Sequence, residues 1–126
     1  MILIYSGLAP QAIGPYSQAV RTGNLLYCSG QTPLDPKTMK IESPEIGEQT
    51  FQSIRNLESI LAESGLTLSD VIKTNVYLIN MDDFAKMNAV YAEIFRGHRP
   101  ARSTVAVRQL PCDALVEIEC IAEFKQ

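Results

Sequence analysis

At 126 residues, with a net charge of -3 and a pI near 5.1, the chain is the length of one domain and lacks the broad basic face on which an electrostatic nucleic-acid binder relies. Its 46% apolar and 20% charged residues are those of a globular protein rather than a disordered one, and a chain this long buries about two-thirds of its unfolded surface without staples. Cys28, Cys112 and Cys120 form no CxxC pair, and an odd count suits a reducing compartment, read here as the cytoplasm, better than a disulfide framework.

The opening stretch, MILIYSGLAPQ, has no basic n-region and no long apolar run, so it reads as mature soluble chain, neither signal peptide nor membrane span. Ile2 to Tyr5 predicts a short edge strand that stops at Ser6 and Gly7. Pro10, Gly14 and Pro15 follow as a rigid loop. Tyr16 to Arg21 and Leu25 to Gln31, separated by Thr22, Gly23 and Asn24, predict a hairpin. The second of these strands ends in small residues around Ser29 and Gly30, which either open the backbone to a ligand or mark a bulge.

Pro33, Asp35 and Pro36 begin a polar loop running through Lys40. A helix is expected next, with Ser43 as N-cap, Pro44 at the first helical position and Gly65 as its stop. Phe51, Ile54, Leu57 and Leu61 would form its buried stripe, with Glu48, Arg55 and Glu63 on the wet side. Leu66 to Asp70 reads as a turn and the β-branched and aromatic run Val71 to Ile79 as a strand. A turn over Asn80 to Asp83 leads into a second helix, with Asp82 as candidate cap and Phe84, Met87, Tyr91 and Ile94 or Phe95 as its stripe. Asn88 lies at the edge of that stripe, where its amide needs a partner: either the sheet or the contents of a cleft.

Gly97 ends this helix, and RGHRPAR then places Arg96, His98, Arg99 and Arg102 within seven residues. These form either a solvated basic loop that complements the helix C-terminus or a funnel drawing anions toward Arg102. A single histidine with no close cysteine spacing argues against a zinc site, and no metal is expected. It also leaves Cys28 without a partner at motif spacing as a nucleophile.

From Pro100 to Phe124 two alternating segments flank a link with Pro111 and Asp113, which predicts two neighbouring antiparallel strands. In the second, Val116, Ile118, Cys120, Ala122 and Phe124 form the core face. A link closing about Gln109 and Leu110 would set Arg102 opposite Glu117. Such a pair is either an ordinary cross-strand ion pair or a small-acid site, in which a guanidinium holds a carboxylate while a carboxyl moves a proton; spacing leaves both open. Strand, hairpin, helix, strand, helix, hairpin describes a single α+β domain, a sheet of about six strands with both helices on one face. The apolar content of the strands suggests that the other face is also covered, as in a homo-oligomer.

The segments IGPYSQAV, CSGQTPLDPKT, DVIKTNVYLINMDDFAKMNAVY, PARSTVAV and ALVEIECIA, in this order, resemble the RidA/YjgF family of imine and enamine deaminases, also grouped under an endoribonuclease label. The resemblance covers nearly the whole chain. It implies a chorismate-mutase-like mixed sheet and a homotrimer with clefts at the subunit interfaces. It further implies cofactor-free hydrolysis of 2-imino or 2-enamino acids, such as 2-iminobutanoate and 2-iminopropanoate, released by pyridoxal-phosphate dehydratases. By the same resemblance Arg102 grips the substrate carboxylate and Glu117 positions water and shuttles a proton, while Tyr16, Ser29, Gly30, Asn88 and Thr104 line the cleft. Thr104 stands where many members have cysteine, and the Arg96 to Arg99 loop is shorter than usual, with Arg99 where an aromatic often precedes the proline. Burial would raise the Glu117 pKa and a nearby arginine would lower it. The rival readings are a non-catalytic binding module for small carboxylates and, with the acidic balance against it, an endoribonuclease.

Overall fold

The computed structural model describes residues 1–125. Eight elements follow in order: β1 Ile2–Ile4, β2 Ala19–Thr22, β3 Leu25–Gln31, α1 Ile46–Glu63, β4 Val71–Leu78, α2 Phe84–Phe95, β5 Ala101–Ala106 and β6 Val116–Glu123. They form one mixed sheet of order β1-β2-β3-β6-β4-β5, antiparallel except for the parallel pair β4 and β5. Both helices contribute to the one core, against which the inward faces of the strands pack. Among the described residues no helix is long and apolar enough to cross a membrane.

Strand β6 holds the centre, between β3 and β4. On β6, Val116, Ile118, Cys120 and Ala122 are buried, while Glu117, Glu119 and Ile121 between them are partly accessible. Strict alternation thus turns into one dry face and one half-open face. Cys28 and Cys120 meet as a cross-strand pair inside the core, and the thiol-to-thiol hydrogen bond, reinforced by burial, drives the Cys120 pKa well up. On the face away from the helices, Tyr27 and Val105 remain 45% and 47% exposed.

Four expectations need correction. The strands β5 and β6 are not a hairpin: β4 lies between them, paired in parallel with β5 and antiparallel with β6. Helix α2 is a crossover that returns the chain beside β4, and β6, the more apolar strand, takes the interior place while β5 takes the edge. Arg102 therefore pairs with Thr74 and Glu117 with Tyr77, not with each other.

The N-cap of α1 is Glu45, not Ser43, and Pro44 precedes the helix; the Glu45 carboxylate accepts from Gly47 N at 2.8 Å and Glu48 N at 3.0 Å. Those two bonds lower its pKa. Asp82 caps nothing. Asn80 caps a short turn by accepting from Asp82 N, and α2 starts after Asp83 without a side-chain cap. Phe51 is 43% exposed, because the buried arc of α1 centres on Ile54, Leu57, Ile60 and Leu61, and Phe51 sits at its margin beneath Arg55. The stop at Gly65 is as expected: φ is +75°, and Gly65 N and Leu66 N bond back to Ala62 O and Leu61 O.

Candidate functional site

Arg102 shares its face of the sheet with its register partner Thr74, a fully buried residue whose Oγ1 lies 2.7 Å from the Tyr91 hydroxyl. It therefore points toward the helix side of the edge strand. Its guanidinium lies over the rings of Tyr91, at 4.9 Å, and Phe84, at 5.6 Å, both from α2. Among the described residues it meets neither a carboxylate nor a hydrogen-bond partner. A guanidinium bedded on aromatic faces with its N–H groups unclaimed is free to hydrogen-bond an anion.

It opens into a cleft of about 520 Å³ whose walls include Asn88, Tyr91, His98, Arg99 and Pro100, with no carboxylate among them. Burial raises the Tyr91 pKa, partly offset by the Thr74 hydrogen bond and the Arg102 charge, so Tyr91 stays neutral. Asn88 Oδ1 and Thr104 Oγ1 are buried without partners. Asn88 is part of the cleft wall, and its oxygen makes no hydrogen bond to the sheet among the described residues. A larger hollow of about 610 Å³ lies across α2, but its rim carries Asp35, Glu42, Glu45, Glu48 and Glu93 and no cation, the wrong sign for a small acid. His98 has a structural role: Nε2 meets Val71 O at 2.6 Å.

Glu117 belongs to the other face of the sheet. Its register partner is Tyr77, and its neighbours along β6, Val116 and Ile118, point into the core. Ser29 and Gly30 together stand opposite a single residue of β6, since Cys28 pairs with Cys120 and Gln31 with Ile118. That is a bulge, and it also brings Gly30 against the Glu117 carboxyl: a methyl group there would sit 2.9 Å from Cδ and closer still to Oε2. Of the two alternatives for Gly30 the bulge is the one seen, and the missing side chain leaves room for the Glu117 carboxyl. Glu117 is half-buried, and burial, reinforced by the charge of Glu119, raises its pKa. No arginine of the same chain opposes that shift.

Ser29 ties this half to the N-terminal loop, donating from Oγ to Ser17 O at 2.6 Å and from N to Gln18 O at 2.9 Å. Tyr16, beside that junction, is 49% exposed, and its hydroxyl accepts from Ile13 N at 3.3 Å. Buried Gln18 fixes the loop, bonding Ser6 N, Ser6 O and Pro10 O.

The expected residues thus fall into two groups. Arg102, Thr104 and Asn88 gather on the helix side, and Glu117, Gly30 and Ser29 on the open side, with Tyr16 on the adjoining loop. The sequence reading missed the aromatic bed of Phe84 and Tyr91, taken only as core stripe, and a hydrogen-bonded set beside Glu117, in which Glu119 accepts from Tyr77 Oη at 2.8 Å and Asn75 Nδ2 at 3.4 Å. The alternation of β4 and β6 was the available signal for that set.

A family model described as Endoribonuclease L-PSP matches residues 6–124. A RutC family protein of Pyrococcus horikoshii is 52% identical over 120 residues, covering 95% of each chain. A 2-iminobutanoate/2-iminopropanoate deaminase of Dermatophagoides farinae is 44% identical over 119 residues, covering 94% of this chain and 93% of that one. Among solved structures, Escherichia coli TdcF with bound serine superimposes with a TM-score of 0.95 at 38% identity, covering 99% and 100% of the two chains.

Proposed function

The chain belongs to the RidA/YjgF family, and from that membership we propose that it is a deaminase hydrolysing 2-imino and 2-enamino acids, such as 2-iminobutanoate and 2-iminopropanoate, to 2-oxo acids and ammonia. The observation that carries this reading is Arg102, an unpaired guanidinium in a cleft without carboxylates. It suits a small carboxylate, which a planar fork grips through two parallel hydrogen bonds. The relative named as an imine deaminase and the serine-bound TdcF point to ligands of that size.

Arg102 and Glu117 face opposite sides of one sheet, with β4 between their strands, so a substrate the size of an amino acid does not bridge them within one chain. The reading therefore includes a second copy: Arg102 of one subunit meets Glu117 of its neighbour in a homotrimer, and the open sheet faces pack together. Arg102 then fixes the carboxylate, Asn88 and Thr104 bound the substrate on the arginine's side, and Ser29 and Gly30 shape the Glu117 side. Glu117 gives its proton to the imine nitrogen and its carboxylate takes one from the attacking water; that proton passes to the amine of the carbinolamine, the C–N bond breaks to release ammonia, and the carbinol O–H proton returns to Glu117 as the 2-oxo group forms. Water and protons are the only co-reactants. The substrates would come from pyridoxal-phosphate dehydratases in the same cytoplasm.

A binding module without turnover would use the same Arg102 cleft. A coupled assay separates the two: threonine, a threonine dehydratase and semicarbazide as competing trap, with and without the protein. Faster 2-oxobutanoate formation and less trapped imine are expected. Ligand binding with no change in trapping would leave only the module. The endoribonuclease name finds no support in the site, where the one histidine is held by a backbone carbonyl.

Gly30 supplies a further check on the Glu117 side. In Gly30→Ala the new methyl displaces the Glu117 carboxyl, the mobile end of a side chain, so the fold is expected to survive while imine hydrolysis falls by at least about tenfold. A variant as active as the parent would remove Glu117 from the reaction.

A further inference from the structure

Glu117 has a neighbour that the reaction described above does not use. Alternation along β6 places Glu119 on the same face, about 6.6 Å farther along the strand, and the two half-buried carboxylates have different company. Glu119 is pinned from β4 by the Tyr77 hydroxyl and the Asn75 amide. Glu117 accepts no hydrogen bond from any described residue. Burial, and then the Glu119 charge, raise the Glu117 pKa, and Glu117 has no donor among the described residues to offset them.

We infer that Glu119 is a positioning residue for Glu117, a fixed anion that makes Glu117 the proton-carrying member of the pair. The inference rests on the deaminase reading for its purpose, since the imine nitrogen must receive a proton before water attacks. The surroundings leave the pair uncompensated within the chain. The titratable groups sharing this face are Tyr77 and Lys73 on β4 and Tyr27 on β3, with Glu123 at the exposed end of β6. Lys73 donates to Ser103 of β5, on the far side of β4 from Glu117. Tyr77 stays a donor through the working range, because its hydrogen bond to Glu119, with burial, pushes its pKa up to about 12. Arg102 of the same chain points to the opposite face, and the neighbouring subunit's Arg102, which meets Glu117 in the proposed trimer, is common to the parent and every Glu119 variant.

The test reads Glu117 directly. The full chain labelled with 13C at the glutamate δ-carbon is titrated by NMR, with the Glu117 resonance assigned by its loss in Glu117→Gln, and kcat is followed over the same pH range. Glu119→Gln removes the charge but keeps an oxygen for Tyr77, and the Glu117 midpoint is expected to fall by about one pH unit, carrying the alkaline limb of kcat with it. Glu119→Asp retains the charge and should move the midpoint less than half as far. Should Glu119→Gln not accumulate as folded protein, Glu119→Ala must shift the midpoint in the same direction. An unmoved midpoint in the neutral variants, or an Asp variant that shifts as far as the Gln variant, overturns the inference. Absence of imine hydrolysis in the wild type would instead sink the deaminase reading, and the carboxyl titration would stand unaffected.

Discussion

Replacing Arg102 by alanine is expected to lower kcat/KM for 2-imino acids by about 10²- to 10³-fold, the loss of a charge-assisted, two-point grip on the carboxylate. Folding should hardly notice. The guanidinium forms no ion pair among the described residues, and its contacts are the rings of Tyr91 and Phe84, worth about 0.5 to 1 kcal/mol. A shift in Tm of only a few degrees should accompany the kinetic loss. Arg102→Lys separates charge from geometry, since a lysine restores the cation without the planar fork and should recover a minor part of the activity. Full activity in Arg102→Ala would remove the carboxylate anchor and with it the basis of the proposed function.

Much of the architecture was legible because burial writes itself into the chain at period two or at spacings of three and four. The strand Leu25–Gln31 and the dry face of β6 are where alternation put them, and Gly65 ends α1 where a left-handed residue was needed. Alternation names a face but not a neighbour. Whether β5 pairs with β6 or with β4 is decided by α2 crossing back over the sheet, a long-range packing event with no local signature. The cap of α1 failed for a related reason: Ser43 and Glu45 can both offer an oxygen, and the choice depends on which backbone N–H groups the first turn presents. Phe51 fits a helical stripe by spacing, yet the width of the buried arc is set by the partner surface.

The site shows the same division. Residue types and motif resemblance picked out Arg102, Glu117 and their companions, and Asn88 and Thr104 prove to carry buried oxygens without partners. What the chain could not reveal was that the two principal residues lie on opposite faces. The assumed hairpin register placed them side by side, and in that arrangement an ion pair would have been an adequate explanation. With β4 between them that explanation is gone, and burial, not a cation, governs Glu117 in the single chain.

Glu117→Gln should bind substrate analogues such as 2-oxobutanoate through Arg102 with near-parental affinity and lose imine turnover by about 10²- to 10⁴-fold, the usual worth of a positioned proton carrier. Isothermal titration and the trapping assay check the two halves of that statement. Mixing the two inactive variants then tests the shared site. If each site takes Arg102 from one subunit and Glu117 from the next, co-refolded Arg102→Ala and Glu117→Gln chains in equal amounts contain intact sites where a Glu117→Gln subunit supplies the arginine and an Arg102→Ala subunit the glutamate. Each condition holds with probability one-half, so about one site in four regains full activity, whichever way the subunits are drawn. Were the site complete within one chain, every chain in the mixture would carry a defect and no proportion would restore turnover. Recovery to about a quarter of the parental rate would therefore show that catalysis crosses the interface, and a mixture as inactive as its components would break the composite site apart.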